Sequence, residues 1–121
     1  MSGPALESFV KLLVLDREAS ATFYEALGFV RVGTDGTHLH LRWGAHGNVF
    51  LVGVPSGVNV EGKRGWGVLL AFTGGVDEVV QRAAKLSAPT QGPDVQPWHT
   101  REVVVTDPDG YRLCFIEPAG K

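Results

Sequence analysis

The stretch Asp107-Pro108-Asp109-Gly110, which runs into Tyr111-Arg112-Leu113-Cys114-Phe115-Ile116-Glu117, is the most informative part of the sequence. Asp at the first position of a turn accepts backbone N–H groups, Pro at the second fixes φ, and Gly at the fourth tolerates positive φ. A Val-rich run, Val103–Val105, precedes this turn, and an aromatic and aliphatic run follows it. The stretch therefore predicts a hairpin between two strands.

Composition limits what kind of protein this is. The chain has 121 residues, of which 44% are hydrophobic and 20% charged, and its net charge is −2, so we expect one globular domain over residues 1–121 without a basic surface for nucleic acid. No apolar stretch reaches the roughly 18 residues of a membrane helix. The N-terminus, Met1–Pro4, has neither the charged nor the apolar region of a signal peptide. With a single cysteine, these features predict a cytoplasmic protein with no membrane partner.

Working outward from the turn, one pattern of a strand, a helix and three strands occurs twice. The first module, about residues 6–55, contains a predicted helix over Arg17–Leu27, which begins after Asp16 and ends at Gly28. Its predicted strands are Glu7–Leu15, Phe29–Thr34, Thr37–Trp43 and Asn48–Val54.

A linker rich in Gly and Pro, at about residues 56–65, leads to the second module at about residues 66–118. The predicted helix Val76–Leu86 starts after Gly74-Gly75 and carries the strongest apolar stripe in the chain. The predicted strands of this module are Trp66–Thr73, Thr90–Val95, Arg101–Asp107 and Tyr111–Pro118.

The predicted fold class is α+β, with two tandem βαβββ modules whose curved sheets enclose a cavity. Because a helix with one apolar stripe must cover a sheet face, the opposite face is left to line the cavity. Strand alternation then assigns the residues. In the first strand Phe9, Lys11 and Leu13 are predicted to face the cavity, and Val10, Leu12 and Val14 to face the helix.

Two ordered segments resemble a known family. Val14-Leu15-Asp16 with Thr22–Phe29 is similar to the first module of the vicinal oxygen chelate superfamily, and Pro97–Glu102 with Val103–Gly110 is similar to its second module. This superfamily includes glyoxalase I, extradiol dioxygenases, fosfomycin-resistance enzymes and bleomycin-resistance proteins. The resemblance covers nearly the whole chain and is closest to the metal-free bleomycin-resistance branch. It implies the fold, whereas fold alone does not fix a reaction.

The resemblance also implies where metal ligands would lie, because enzymes of this superfamily take one ligand from each of four strands. Those places fall on Phe9, about Leu51, Val68 and Cys114. Three of these side chains have no lone pair, so no metal and no cofactor is expected. A slip of one residue does not supply a ligand set, because it substitutes Ser8 or Val10, Phe50 or Val52, Gly67 or Leu69, and Leu113 or Phe115.

Charged and imidazole side chains are the next candidates. Lys11 interrupts an apolar strand and is predicted either to bind an anionic group, to act as a base, to reach solvent at an edge, or to pair with an acidic residue such as Glu102 or Glu117. Arg112 is similar. His38 and His40 share one strand face with Arg42, which would repel a cation, so a wet cavity wall or a surface stripe is favoured over a metal site.

Aromatic side chains and the single thiol complete the candidates. Trp66 lies at the start of a predicted strand and Trp98 lies in a loop. For both, the pattern allows either stacking on a ligand or packing against the protein, whereas packing is favoured for Trp43. Cys114 is predicted to be a small buried hydrophobe rather than a nucleophile. The carboxylates of Asp107 and Asp109 are explained by the turn.

These observations favour a metal-free, homodimeric binding protein that sequesters an aromatic or anionic organic molecule, such as an antibiotic. An enzyme of lyase, isomerase or dioxygenase-like chemistry, using Lys11, His38, His40 or His99, is the alternative, and a regulatory subunit with a filled cavity is a third. No catalytic residue is assigned. The predicted ligand-binding residues are Phe9, Lys11, His38, His40, Leu51, Trp66, Val68, Trp98, Arg112 and Cys114.

Overall fold

The computed structural model describes residues 9–55 and 68–119, and within them the element order βαβββ occurs twice. Helix α1 spans Arg17–Leu27, as predicted, and helix α2 spans Val76–Lys85, one residue shorter than predicted. The strands are β1 (Phe9–Val14), β2 (Val30–Asp35), β3 (His38–Trp43), β4 (Gly47–Gly53), β5 (Leu69–Thr73), β6 (Thr90–Val95), β7 (Thr100–Thr106) and β8 (Arg112–Pro118).

The strands form two four-stranded sheets, with the orders β1-β4-β3-β2 and β5-β8-β7-β6. In each sheet the first strand pairs parallel with the fourth, and the other pairs are antiparallel. The α+β class and the tandem βαβββ arrangement are confirmed. Among the clefts lined by the described residues are three with volumes of about 240–280 Å³.

Local signals in the sequence explain where the helices begin and end. The carboxylate of Asp16 accepts the backbone N–H of Ala19 at 3.0 Å and caps α1. Gly28 ends α1 with φ at 121°, and Gly75 precedes α2 with φ at 72°, conformations that favour glycine. At Gly75 an added Cβ would lie 2.9 Å from the indole of Trp43. Both the positive φ and the lack of space therefore exclude a side chain at this position.

One hydrophobic core joins the two modules. The apolar stripe of α2 is buried at Val76, Val79 and Ala83. The ring of Phe29 from module one packs edge-on to those of Phe72 and Phe115 from module two, with centroids 5.1 and 6.3 Å away. Because these contacts cross between modules, we expect the two modules to unfold together.

The Asp107–Gly110 turn forms the predicted hairpin and also connects the modules. Gly110 has φ at 92°, and one carboxylate oxygen of Asp107 accepts the N–H groups of Asp109 and Tyr111 at 2.9 and 2.8 Å. Its other oxygen accepts the buried hydroxyl of Tyr24, on α1, at 2.6 Å. The sequence predicted the turn but not this contact with the other module.

Asp109 makes a second contact between the modules. Its carboxylate accepts the backbone N–H of Leu15 and the hydroxyl of Ser20, both at 3.0 Å. The two acidic side chains of the turn therefore hold the hairpin of module two against α1 and the residue Leu15 that precedes it in module one.

Some predictions fall outside the described residues. The predicted linker at about residues 56–65 lies there, as do Ser8, Trp66 and Gly67. Strand β5 begins at Leu69 in the part of the chain that the structure describes. Within that part, neither helix has the length and apolar character needed to cross a membrane.

Candidate functional site

Each sheet packs its helix against one face, and we call the opposite face the open face. Along β1 the residues divide as predicted, because Leu12 and Val14 are buried whereas Phe9 is 54% exposed and Lys11 is exposed. The strand register extends this division across the first sheet. Its open face consists of Phe9, Lys11, Leu13, His38, His40, Arg42, Asn48, Phe50 and Val52.

Leu51 lies on the other face, so the prediction that it faces the cavity is wrong. Its side chain is fully buried, and its Cα partners on the neighbouring strands are the core residues Leu12 and Leu39. Phe50 takes the position on the open face. The sequence did not reveal this because β4 is apolar on both faces after Asn48, so the alternation of polar and apolar residues does not show which side chains face the cavity.

The prediction that Val68 faces the cavity is also wrong. It precedes β5, is 54% exposed, and has the parity of Leu70 and the buried Phe72 rather than that of the open face. The Cα partner of Cys114 on β5 is Ala71. Val68 was assigned to the cavity, but the bulky side chain of the same parity within β5, Phe72, packs into the core, where its apolar surface is removed from water.

Three rings form a row across the open face of the first sheet. The centroid of Phe50 lies 5.0 Å from that of Phe9 and 4.4 Å from that of His40. The His40 ring is nearly parallel to Phe50, with an interplanar angle of 8°, and His38 approaches Phe50 at 6.2 Å. Rings at these separations make favourable contacts, so the row is a fixed aromatic surface.

Asn48 anchors one end of this row. Its side-chain oxygen accepts Nε of Arg42 at 3.1 Å and lies 2.9 Å from Nε2 of His40, and its amide nitrogen donates to the carbonyl of His46 at 3.1 Å. Asn48 is 7% exposed, and buried amide groups of this kind are bonded on both atoms. The amide therefore fixes the orientation of the His40 ring.

The cations of the open faces do not pair as the sequence suggested. Lys11 is exposed, and none of the described residues forms an ion pair with it. Its proposed partner Glu117 bonds Arg101 at 3.2 Å, while Glu102 is bound by neutral donors. Arg112 is half-buried on the open face of the second sheet. Of the alternatives predicted for Lys11, the structure shows the one in which the side chain reaches solvent at an edge strand.

Glu102 is the centre of a polar cluster on the second sheet. Its carboxylate accepts the hydroxyl of Thr100 at 2.6 Å and the indole N–H of Trp98 at 3.0 Å, and lies 3.6 Å from the thiol of Cys114. Hydrogen bonds from Thr100 and then Trp98 lower the pKa of Glu102. The carboxylate is therefore held charged and fixes the Trp98 ring, which remains 63% exposed.

Cys114 is buried, as predicted. Burial and the nearby Glu102 carboxylate raise the pKa of the thiol to about 11. Since the thiolate is the reactive form, this environment suits a packed side chain and opposes a nucleophilic role.

The other aromatic and imidazole candidates lie apart. Trp43 packs on Phe115 with centroids 4.9 Å apart and donates its N–H to the carbonyl of Thr73 at 2.8 Å, so its predicted packing role is confirmed. His99 lies in the β6–β7 loop with φ at 67°, and no contact among the described residues joins it to His38 or His40. Trp66 lies outside the described residues.

The residues at the superfamily's metal positions do not fit a metal ion. The resemblance implies Phe9, about Leu51, Val68 and Cys114 for these positions, and the open-face residues beside the two misplaced ones are Phe50 and Ala71, so the set to test is Phe9, Phe50, Ala71 and Cys114. Three have no lone pair, and the fourth is a buried thiol whose pKa is raised, whereas catalytic divalent metals need imidazole or carboxylate ligands. Over residues 9–55 and 68–119, no group of three His, Cys, Asp or Glu side chains could hold an ion elsewhere.

A cleft of about 270 Å³ lies where the edge strands of the two sheets meet. Phe9 contributes from β1, and Leu70, Ala71 and Phe72 contribute from β5. The structure thus brings Phe9, His38 and His40 together through Phe50, and places Cys114 beside Ala71 on the other sheet. Phe50, Asn48 and Glu102 are the site residues that sequence reasoning did not assign.

Comparison with known proteins agrees with this fold. The sequence model of the Glyoxalase/Bleomycin resistance protein/Dioxygenase superfamily matches residues 8–115. A bleomycin-binding protein complexed with bleomycin has a TM-score of 0.73 at 20% identity, over 93% of this chain and 98% of its own. A bleomycin resistance determinant encoded on transposon Tn5 has a TM-score of 0.69 at 20% identity, over 94% and 98%.

A protein of another activity has the same architecture. The oxidase ChaP-H2 has a TM-score of 0.69 at 15% identity, over 96% of this chain and 98% of its own. Such low identities show a shared fold and nothing finer. No curated protein matches the chain.

Proposed function

The chain belongs to the glyoxalase/bleomycin resistance protein/dioxygenase superfamily, and on that premise we propose that it is a metal-free binding protein for a small aromatic or anionic organic molecule. The observation that carries the proposal is the aromatic row Phe9, Phe50 and His40 on the open face. Phe9 is at a position that the resemblance implies for a metal ligand, and Phe50 is next to another, about Leu51. An antibiotic is a suitable ligand, because two proteins of this fold are a bleomycin-binding protein and a bleomycin resistance determinant.

The row is suited to flat ligands because its rings are already fixed. Phe50 lies between Phe9 and His40, and Asn48 holds the imidazole by a hydrogen bond, so little conformational entropy is lost when a planar molecule stacks on the surface. Lys11 is the cross-strand neighbour of Phe50. Its exposed ammonium group is available to an anionic substituent of the ligand.

Tryptophan fluorescence tests the binding proposal. We expect at least one compound from a library of aromatic antibiotics and acidic metabolites to change the indole emission, and Phe50→Ala to weaken its binding about tenfold, since aromatic contacts contribute about 0.5–1.5 kcal/mol beyond buried area. Phe23→Ala is the matched control, because Phe23 is a half-buried ring on α1 rather than on the open face. Equal affinities for both variants, or a silent library, contradict the proposal.

We further propose that the protein acts in the cytoplasm as a homodimer in which a second copy covers part of the open faces. Exposed apolar side chains support this, because Phe9, Leu13 and Leu69 are 54%, 38% and 50% exposed. Large apolar groups on one surface favour association in water. The free thiol of Cys114 is consistent with a reducing compartment.

Sedimentation equilibrium tests the dimer. We expect a mass of two chains at micromolar concentration, and we expect Leu69→Glu to shift the protein toward one chain, because it places a charge in the covered surface. Val95→Glu is the control, since Val95 is 64% exposed on β6 and pairs with Arg101, on the helix side of the sheet. A single-chain mass for the unaltered protein, or equal effects of the two substitutions, would exclude this arrangement.

A further inference from the structure

A separate cleft lies between β2 and β3 on the open face of the first sheet. Its volume is about 240 Å³, and it is lined by Val32, Gly33, Thr34, Asp35, His38, His40 and Phe50. The strand register shifts between Arg31 and Gly33, and Gly33 lies directly opposite His40. A Cβ added to Gly33 would meet no atom within 4 Å. The missing side chain therefore leaves room beside the imidazole.

The hydrogen bonds of Asn48 determine the tautomer of His40. Nε of Arg42 can only donate, and the carbonyl of His46 can only accept, so the Asn48 oxygen must face Arg42 and its nitrogen must face His46. Since the same oxygen lies 2.9 Å from Nε2 of His40, this nitrogen must carry the proton. In the neutral ring, Nδ1 is then a hydrogen-bond acceptor.

This acceptor has no partner within the described part of the chain. Nδ1 of His38, by contrast, lies 3.0 Å from the hydroxyl of Thr37. The carboxylate of Asp35 lines the same cleft as His40 and is a second acceptor. A cleft with a stacked ring at its side and two acceptors is suited to a planar group that donates hydrogen bonds.

We propose that this cleft binds a planar aromatic group carrying an O–H or N–H donor, and that the donor bonds Nδ1 of His40. The inference rests on the proposed binding function and narrows its ligand class. His40 acts as an acceptor whose direction is set by Asn48, and Phe50 supports the ring from one side. Specificity arises because a ligand without the donor leaves the acceptor unpaired when it displaces water.

The tautomer is tested first, on the unliganded protein. Long-range ¹H–¹⁵N correlation NMR of the imidazole rings should show His40 protonated at Nε2 and unprotonated at Nδ1 under conditions where the ring is neutral. Asn48→Leu should remove this preference. A His40 ring protonated at Nδ1 overturns this inference and leaves the proposed function of the aromatic row intact.

Ligand specificity is tested with 2-naphthol and its methyl ether, 2-methoxynaphthalene, which has the same rings and no donor. We expect 2-naphthol to bind about fivefold more tightly, as a neutral hydrogen bond is worth about 1 kcal/mol. His40→Phe keeps a ring against Phe50 but lacks Nδ1, so it should bind both compounds equally. Equal binding of the two compounds by the unaltered protein, or binding of neither, contradicts the inference alone, whereas a library in which no compound binds contradicts the proposed function as well.

The location of the site is tested by filling the cleft. Gly33→Leu should weaken 2-naphthol binding at least tenfold, because the new side chain occupies the space opposite His40. Gly53→Leu is the matched control, since Gly53 also has open space around its Cβ position and does not line this cleft. Undiminished binding by Gly33→Leu places the ligand elsewhere and overturns the inference.

Discussion

Replacing Phe115 with Ala should lower the free energy of unfolding by about 3–5 kcal/mol, the range for removing a fully buried Phe side chain. Phe115 is 0% exposed. Its ring packs against those of Trp43 from module one and Phe72 from module two, with centroids 4.9 and 5.6 Å away. The substitution leaves a cavity where the two modules join, and urea denaturation followed by circular dichroism measures its cost.

The control for this substitution is Phe9→Ala. Phe9 is 54% exposed on the open face, so its removal should change the free energy of unfolding by less than about 1 kcal/mol. We also expect Phe115→Ala to retain a single transition, because the core is shared by both modules. Two separate transitions in the unaltered protein, or equal costs for the two substitutions, would show that the modules do not share a core.

Tyr24→Phe is expected to have the second largest effect, a loss of about 1.5–3 kcal/mol, the range for a hydrogen bond to a charged group. The Tyr24 hydroxyl is buried and donates to the carboxylate of Asp107 at 2.6 Å. Burial raises the pKa of Tyr24, and the nearby Asp107 carboxylate raises it further, so the hydroxyl remains the donor. Without it, the buried carboxylate loses one of its bonds. Chemical denaturation at neutral pH measures the difference.

The cost of Tyr24→Phe should also depend on pH. Burial raises the pKa of Asp107, whereas the bond from Tyr24 lowers it, so the variant has a still higher pKa at Asp107. A carboxyl group with a raised pKa binds more protons in the folded state. Its contribution to stability is therefore fully present below the unfolded pKa and is lost as the pH rises through the folded pKa. The variant should accordingly be closer to the unaltered protein in mild acid than at neutral pH.

Tyr111→Phe is the matched control for this pH dependence. The Tyr111 hydroxyl also crosses between the modules, but it donates to the neutral carbonyl of Leu13 at 2.8 Å. We expect a cost of about 0.5–1.5 kcal/mol that is independent of pH over the range in which Asp107 titrates. A pH-independent cost for Tyr24→Phe would show that Asp107 does not carry the charge at this contact.

The elements with strong local signals could be predicted from the sequence. Asp16 and Gly28 bound α1, Gly75 precedes α2, and the turn at Asp107–Gly110 forms its hairpin, because each depends on capping or backbone chemistry within a few residues. The repeated order of elements then fixed the fold class, which the structure and the family match confirm.

Strand parity was harder to predict where both faces of a strand are apolar. Leu51 and Val68 were assigned to the cavity, yet Leu51 is in the core and Val68 precedes β5. Alternation decided β1 correctly because Lys11 interrupts it in the middle, whereas the only polar side chain of β4, Asn48, lies near its start and apolar residues occupy both faces after it. Because the residue assigned to the cavity on β4 was one position away from the correct one, Phe50 was not predicted to be a site residue, although it is the centre of the aromatic row.

Contacts between distant residues were beyond local reasoning. Asp107 was explained by its turn, and nothing near it in sequence indicates that Tyr24 reaches its second oxygen. Likewise, Asn48 and His40 are eight residues apart on neighbouring strands. The register of β3 and β4 brings the amide of Asn48 within hydrogen-bond distance of the His40 imidazole. The sequence supplied the residue types, whereas the pairing of the strands determined which of them meet.

The central proposal is that the open face binds an organic molecule and that the positions which the resemblance implies for metal ligands hold no metal ion. The most direct test is the melting temperature of chelator-treated protein before and after addition of Zn²⁺, Mn²⁺, Fe²⁺ or Ni²⁺, because an ion that binds only the folded state must raise it. We predict no change with any of these ions. A rise that saturates at one ion per chain would contradict the account.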